Sequence, residues 1–188
     1  MKNLFSLRFF SFLVFLFLMA CTRDKEMPGV YDSCCGSEPV EFSPQGTTAR
    51  VYVPNVFTPN ADGINDLFYP LSNGGILTIN YVVISKQEEG GSTTLLYQVE
   101  NIDANDPYNY SWDGEDLEGN KYKGGFDYQI SFYTTDGLAF AVQGKGCSVD
   151  CEGEIPTDNP RQGCFYPAQA DDGTVNLNLP TGEYENCF

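Results

Sequence analysis

The chain has 188 residues, and 26 acidic against 10 basic side chains give it a formal net charge of −16. An acidic chain repels nucleic acid and anionic lipid headgroups, so a nucleic-acid partner is excluded as an interpretation. Aromatic residues make up 14% of the sequence, which indicates a folded domain rather than a disordered acidic tail. The chain contains no histidine, which excludes catalysis by a Ser-His-Asp or Cys-His system.

The start of the chain is typical of an exported protein. Two basic residues precede an apolar run over residues 9–20, which is too short to cross a bilayer and fits a signal peptide. The segment ends in Leu18-Met19-Ala20-Cys21, which looks like a bacterial lipobox. We therefore predict that Cys21 is lipidated and that the lipid anchors the protein to a membrane. The alternative is an ordinary secretory signal, with Cys21 available for a disulfide bond.

The cysteine content agrees with export. Of the seven cysteines, six remain when Cys21 is set aside, and an even number indicates disulfide bonds. The spacing of Cys147 and Cys151 also resembles a zinc site, but an oxidising compartment and the lack of histidine favour disulfides. The two ends of a domain often lie close together. We predict that Cys34 and Cys35 pair with Cys147 and Cys151, in either order, and that Cys164 pairs with Cys187.

From residue 49 onward the pattern indicates short β-strands. Glycine-containing turns separate them, notably Gly90-Gly91-Ser92 and the hairpin signal Asp136-Gly137. No segment carries a long helical stripe, so the sequence predicts an all-β fold, a β-sandwich. The predicted strands are Ala49–Pro54, Leu77–Ser85, Thr94–Val99, Asp127–Tyr133 and Leu138–Gln143.

One polar segment, residues 58–66, lies between apolar residues and contains proline and glycine, which predicts a rigid turn between two strands. Its pattern resembles a calcium-binding loop, although Thr58 replaces the first aspartate and Tyr69 the usual bidentate glutamate. The alternative is an Asx turn held by hydrogen bonds to its own backbone. Calcium is the one cofactor that the sequence suggests, with the side chains of Asn60, Asp62 and Asp66 and the carbonyl of Ile64 as candidate ligands.

The phrase F-T-P-N-A-D-G-I-N-D-L-F, residues 57–68, resembles the opening of a known family. This is the gliding-motility-associated C-terminal domain of Bacteroidota cell-surface proteins, the type B sorting domain of the type IX secretion system. The family usually has glycine at the position of Ala61; if a positive φ is needed there, alanine costs about 1 kcal/mol. A second family phrase matches Trp112-Asp113-Gly114 followed by Gly119, Gly125, Phe126 and Tyr128.

The resemblance covers roughly residues 50–144 and implies an immunoglobulin-like β-sandwich in a surface protein. It suggests a setting in gliding, adhesion or envelope assembly, and the outer membrane as the location. We divide the chain into a signal peptide (1–20), an anchor and spacer (21–48), the sandwich (49–146) and a Cys-rich, loop-rich extension (147–188).

We expect a non-catalytic lipoprotein at the cell surface that binds an envelope protein or a glycan. A type IX sorting module is the first alternative, and it would need the sandwich at the end of the chain. A carboxylate-dependent glycan hydrolase is the second, with acid pairs such as Glu115 and Glu118 as candidates. Those glutamates lie in a glycine-flanked acidic turn, which is more typical of an exposed loop. Trp112 is expected to anchor the core.

Overall fold

The computed structural model describes residues 39–149 and 163–182. The predictions for the signal peptide and for Cys21, Cys34, Cys35, Cys151 and Cys187 lie outside the described residues.

The fold is all-β, as the sequence predicts. The described residues form ten strands and two single-turn 3₁₀ helices, Pro107–Asn109 and Pro167–Gln169. None of their helices is of a length and hydropathy that would let it cross a membrane. The strands are β1 (Val40–Phe42), β2 (Val51–Val53), β3 (Val56–Phe57), β4 (Leu71–Ser72), β5 (Ile76–Gln87), β6 (Thr93–Asp103), β7 (Gly124–Thr134), β8 (Ala139–Ser148), β9 (Ala170–Asp171) and β10 (Thr174–Val175).

The strands form two larger sheets and one short hairpin. The large sheet has the order β3-β8-β7-β5-β6, the second sheet has the order β1-β2-β4, and β9 pairs with β10. All of these pairings are antiparallel except that of β3 with β8, which is parallel. Buried side chains from both larger sheets belong to one hydrophobic core. We refer to these two sheets and their core as the sheet body.

The five predicted strands correspond to β2, β5, β6, β7 and β8. Both turn predictions are confirmed, because Asp136-Gly137 joins β7 to β8 and Gly90-Gly91-Ser92 joins β5 to β6. The long strands extend past their predicted ends because a polar residue in a ladder keeps its backbone hydrogen bonds. Strand β8 therefore reaches Ser148, two residues beyond the predicted end of the sandwich, and β1 lies in the segment predicted as a spacer.

An aromatic cluster joins the two phrases of the family resemblance inside the core. Trp112 is fully buried, and its ring centroid lies 5.3 Å from that of Phe57 and 5.1 Å from that of Phe126. Phe68 lies 4.9 Å from Phe126, and its backbone exchanges hydrogen bonds of 2.8 and 2.9 Å with Trp112. The Trp112 indole N–H donates to the carbonyl of Glu115 at 2.6 Å. The prediction that Trp112 anchors the core is confirmed.

Two glycines of β8 make room for the aromatic rings of β7. Gly146 is the register partner of Phe126, and a Cβ added there would lie 2.5 Å from the ring. Gly144 is the partner of Tyr128, and its Cβ would likewise collide with the tyrosine ring. Each ring therefore packs against the backbone of a glycine on the neighbouring strand. A shift of register would place a side chain under the ring, so these contacts fix the β7–β8 register.

Candidate functional site

The polar turn, residues 58–66, is closed by one carboxylate. Asp66 accepts hydrogen bonds from the backbone N–H groups of Ala61 at 2.6 Å and Gly63 at 2.7 Å. Both donors have a positive φ, 63° at Ala61 and 89° at Gly63. The left-handed backbone is what turns these two N–H groups toward the same carboxylate. The resembled family usually has glycine at this position. Because φ is positive at Ala61, alanine is strained there.

Two Asx turns complete the polar turn. Asn60 accepts a hydrogen bond from the backbone of Asp62 at 3.0 Å, and Asp62 accepts one from the backbone of Ile64 at 2.8 Å. The Asn60 side-chain amide also donates to Asp62 at 3.0 Å. This is the geometry of the Asx-turn alternative, in which short polar side chains hold their own backbone.

Calcium binding at the polar turn stays a prediction. A carboxylate oxygen that accepts one N–H keeps a second lone pair, so Asp62 and Asp66 retain coordinating capacity. No group of three or more Asp, Glu, Cys or His side chains suited to a metal occurs within residues 39–149 and 163–182. If calcium binds the folded state, the melting temperature rises with calcium and the rise disappears in Asp62→Ala. A melting curve indifferent to calcium and to chelator leaves the Asx turn alone.

A segment that we call the C-terminal strap, residues 163–182, crosses the free edge of the large sheet. β3 is one of the two edge strands of that sheet. The backbone N–H groups of Asn55 and Val56 donate to the carbonyl of Phe165 at 3.1 and 3.3 Å. The Asn55 amide then donates to the carbonyl of Gly163 at 2.7 Å and accepts from the N–H of Phe165 at 2.7 Å. The strap thus satisfies backbone groups that an edge strand leaves unpaired.

A second asparagine fastens the strap over the polar turn. The Asn65 amide donates to the carbonyl of Thr181 at 2.8 Å, and its oxygen accepts from the N–H of Ala168 at 2.9 Å. Asn65 has a φ of 51° and is 8% exposed. At the same place, a Cβ added to Gly182 would lie 2.8 Å from Ile64. The strap therefore covers one side of the turn that carries the family resemblance.

A small apolar cluster secures the start of the strap. Cys164 and Tyr166 of the strap pack with Val56, Cys147 and Val149, all of them buried. Cys147 and Cys164 are both disulfide-bonded. The predicted pairings remain predictions, since their other members lie in the part of the chain left undescribed. A cluster of five side chains is small, so covalent and polar attachments carry much of the strap's stability.

The strap is also attached to the small sheet. The Tyr52 hydroxyl donates to the carbonyl of Tyr166 at 3.0 Å in a buried position, and burial is the main cause that raises the pKa of Tyr52. Arg50 of the body forms an ion pair with Asp172. The backbone N–H of Val175 donates to the carboxylate of Glu41 at 2.7 Å. Polar contacts thus follow the strap along most of its described length.

The strap borders a groove of about 560 Å³. It is lined by residues 163–166, Gln169, Leu177 and residues 179–182. Leu177 is 68% exposed. The groove belongs to the strap itself, and no buried charged side chain lines it.

The acidic turn around Glu115 and Glu118 is exposed, as the sequence indicates. Lys121 lies 3.4 Å from Glu115. Asp116 accepts backbone hydrogen bonds from Asn120 at 2.8 Å and Glu118 at 3.0 Å. The bond from the Asn120 backbone is the largest cause that lowers the pKa of Asp116. These contacts shape a surface turn in which both glutamates are exposed.

Sequence reasoning missed Asn55 and Asn65 as the residues that hold the strap. Both asparagines lie within residues 53–68, but the sequence around them indicates only a local turn and not a contact with a distant segment. One usable signal was V-P-N-V, where a polar side chain interrupts a run of buried strand residues. A buried asparagine needs partners, and here the partners lie more than a hundred residues away in sequence.

No protein-family model matches the chain, and no curated protein or solved structure gives a significant match. The family resemblance accordingly remains an inference from the two phrases at residues 57–68 and 112–128.

Proposed function

We propose that this protein is an exported, lipid-anchored surface module of the outer membrane with an immunoglobulin-like β-sandwich and a non-catalytic binding or structural role. The observation that carries the proposal is the strap, which clamps the edge strand β3 and covers the turn resembling the family phrase. A domain fixed in this way is suited to stay where it is anchored.

Several features support the sandwich. Two sheets with predominantly antiparallel pairing share one core, and the fully buried Trp112 belongs to it. The two family phrases meet in that core through Phe57, Phe68 and Phe126. Residues that a family repeats tend to be those its packing needs, so this meeting supports the resemblance.

The strap also argues against a sorting role. In the resembled family, the secretion machinery recognises a domain at the end of a long protein. An exposed edge strand is a natural docking site for another chain. Here Asn55 and Val56 already give their N–H groups to Phe165, so the β3 edge is occupied by the protein itself.

The acid distribution supports a non-catalytic role. Glycoside hydrolysis needs two carboxyl groups facing each other across a substrate. Among the described residues, Glu115 is ion-paired with Lys121 and Glu118 lies in an exposed turn. The proposed activity is therefore binding, with an envelope protein or a glycan as the partner.

The anchor is tested by Cys21→Ser, which removes the thiol that would be lipidated. We expect the variant protein to leave the membrane fraction and appear in the soluble or secreted fraction. Replacement of a cysteine outside the lipobox, Cys187→Ser, is the matched control and should leave the protein membrane-bound. Membrane retention of Cys21→Ser would refute the lipid anchor.

The sorting alternative is tested by deleting the type IX machinery in the native host. The proposed module should still reach the membrane and keep the residues after Gly144. Failure to reach the membrane, or a mature form that ends near Gly144, would refute the proposal and establish the sorting module instead.

A further inference from the structure

The outer face of the large sheet carries a row of amide side chains. Gln98 and Gln129 are both register partners of Val83, and Gln129 is also the partner of Gln143. The three glutamines are exposed, and they alternate along their strands with core residues such as Ile130. With strands about 4.8 Å apart, the row from Gln98 to Gln143 spans roughly 14 Å across four strands.

Two tyrosines lie beside this row on the same face. Tyr81 is the partner of Ser131 in the next row, and Tyr133 follows two residues along β7 with 43% of its surface exposed. The neighbouring positions on β8 are Ala139 and Ala141, which leave the space around the tyrosines open. We call Tyr81, Tyr133 and the three glutamines the amide platform.

The amide platform lacks charge in a protein that is otherwise strongly acidic. On β5, β7 and β8 the rows of Gln129, Ser131 and Tyr133 contain no charged side chain, whereas the β6 partners in two of these rows are the carboxylates Glu100 and Asp103. Glu100 accepts a hydrogen bond from Gln98 at 2.7 Å. At one end Asp127 is neutralised by Lys145 at 3.3 Å. The field of a chain of net charge −16 repels anionic partners, and the uncharged rows on β5, β7 and β8 offer a cation no ion-pair partner, so an uncharged ligand fits them.

The chemistry of the platform fits sugar rings. An amide side chain both donates and accepts hydrogen bonds, as a hydroxyl-rich ligand requires. A tyrosine offers an apolar ring face with a polar tip, which suits the mixed surface of a sugar. A flat, open face is unlike the concave pocket that encloses a small molecule, so an extended polymer is the fitting occupant.

We propose that the amide platform binds a neutral polysaccharide, with its sugar rings lying across β5, β7 and β8. The inference rests on the proposed function, because a surface-anchored binding module requires an external partner. A second copy of the chain is the less favoured occupant, since two molecules of this charge repel each other. The platform lies on the outer face of β5–β8, whereas the strap attaches at β1, β2, β3, the polar turn and Cys147 near the end of β8.

The test is affinity electrophoresis of the detergent-purified full chain in native gels that contain a soluble polysaccharide. Xyloglucan, mannan and a soluble β-1,3-glucan serve as neutral probes, and polygalacturonate serves as the anionic probe. We expect at least one neutral probe to retard the protein. The double variant Tyr81→Ala/Gln129→Ala should weaken that retardation at least tenfold, and so should the separate variant Tyr133→Ala/Gln143→Ala.

Matched controls keep the result specific to the platform. Tyr108→Ala and Gln45→Ala remove the same side-chain types from other exposed positions, and they should bind as the wild type does. Circular dichroism melting identifies a platform variant that fails to fold. In that case, the retardation of the other double variant tests the proposal.

Three results would overturn the proposal: no retardation by any neutral probe, retardation by polygalacturonate alone, or retardation that both folded platform variants retain. Loss of a co-purifying envelope protein in those variants, without polysaccharide binding, would show a protein interface and would also overturn it. Membrane attachment is measured separately through Cys21→Ser, so a failed anchor and a failed platform give distinguishable results.

Discussion

The sheet body and the C-terminal strap are held in place by different forces. The body buries a continuous core that contains side chains of both sheets and a cluster of contacting aromatic rings. The strap buries only a few side chains, Cys164, Tyr166, Pro167 and Gln169. It depends on asparagine clamps, an ion pair and disulfide-bonded cysteines. Apolar burial makes the body cooperative, whereas directional contacts let the strap open locally without unfolding the body. Each prediction below tests that difference.

The largest expected effect comes from Trp112→Ala. Removing a fully buried tryptophan leaves a cavity among Phe57, Phe68 and Phe126 and costs about 3–5 kcal/mol of the free energy of unfolding. Because the core holds the body together, body and strap should lose protection from amide exchange together. Urea unfolding and hydrogen exchange measure both effects. Tyr108→Ala, which truncates a side chain that is 80% exposed, should change stability by less than about 0.5 kcal/mol. A loss below about 1 kcal/mol for Trp112→Ala would contradict this account of the core.

Asn55→Ala should open the strap and leave the body intact. The change removes the two side-chain bonds to Gly163 and Phe165, and unpaired groups of this kind cost about 1–3 kcal/mol. Amide exchange should accelerate in residues 163–182 and stay unchanged in β5 and β7. Asn80→Ala, which removes an asparagine that contacts Ser131 inside the large sheet, is the control. Equal acceleration in strap and body would show that the two form one cooperative unit.

How far the sequence predicts each region follows from the same difference. The body's strands are visible because apolar alternation and turns such as Asp136-Gly137 are local signals. The strap is held by Asn55 and Asn65, whose partners lie far away in sequence, and no local pattern reports such contacts. The short strands β1, β3 and β4 escape individual prediction for a similar reason, since two or three residues carry too little periodicity. The sequence alone does not predict the amide platform, because only the strand register brings glutamines from three strands into one row.

Alkaline pH should weaken the protein through its buried tyrosines. Burial raises the pKa of Tyr128 and of Tyr52. The unfolded chain loses these protons near pH 10, while the folded protein keeps them to higher pH. Folding stability is therefore fully present below pH 10 and falls as the pH rises through that value. The effect should be modest just above pH 10 and grow with further increase.

Phenylalanine variants separate body from strap in this titration. Tyr128→Phe should flatten the alkaline loss of stability without changing strap exchange, because the tyrosine packs within the body core. Tyr52→Phe should flatten it too, but should also loosen the strap at neutral pH by removing the bond to the Tyr166 carbonyl. Urea unfolding across a pH series gives the slopes. An unchanged slope in both variants would rule out these tyrosines as the cause.

The smallest expected effect compares two residues that share a left-handed backbone in the polar turn. Ala61 has a φ of 63° and Asn65 a φ of 51°. Glycine at position 61 relieves about 1–2 kcal/mol of strain and loses about 0.4–1 kcal/mol through the more flexible unfolded chain, so Ala61→Gly should stabilise by about 0.5–1 kcal/mol. Asn65→Gly relieves less strain, because asparagine tolerates this conformation, and it removes both bonds to the strap. Thermal unfolding should therefore show a gain for Ala61→Gly, and hydrogen exchange should show an opened strap for Asn65→Gly alone. If both glycines stabilise the protein and neither opens the strap, the Asn65 clamp contributes nothing, and the strap is held by its other contacts.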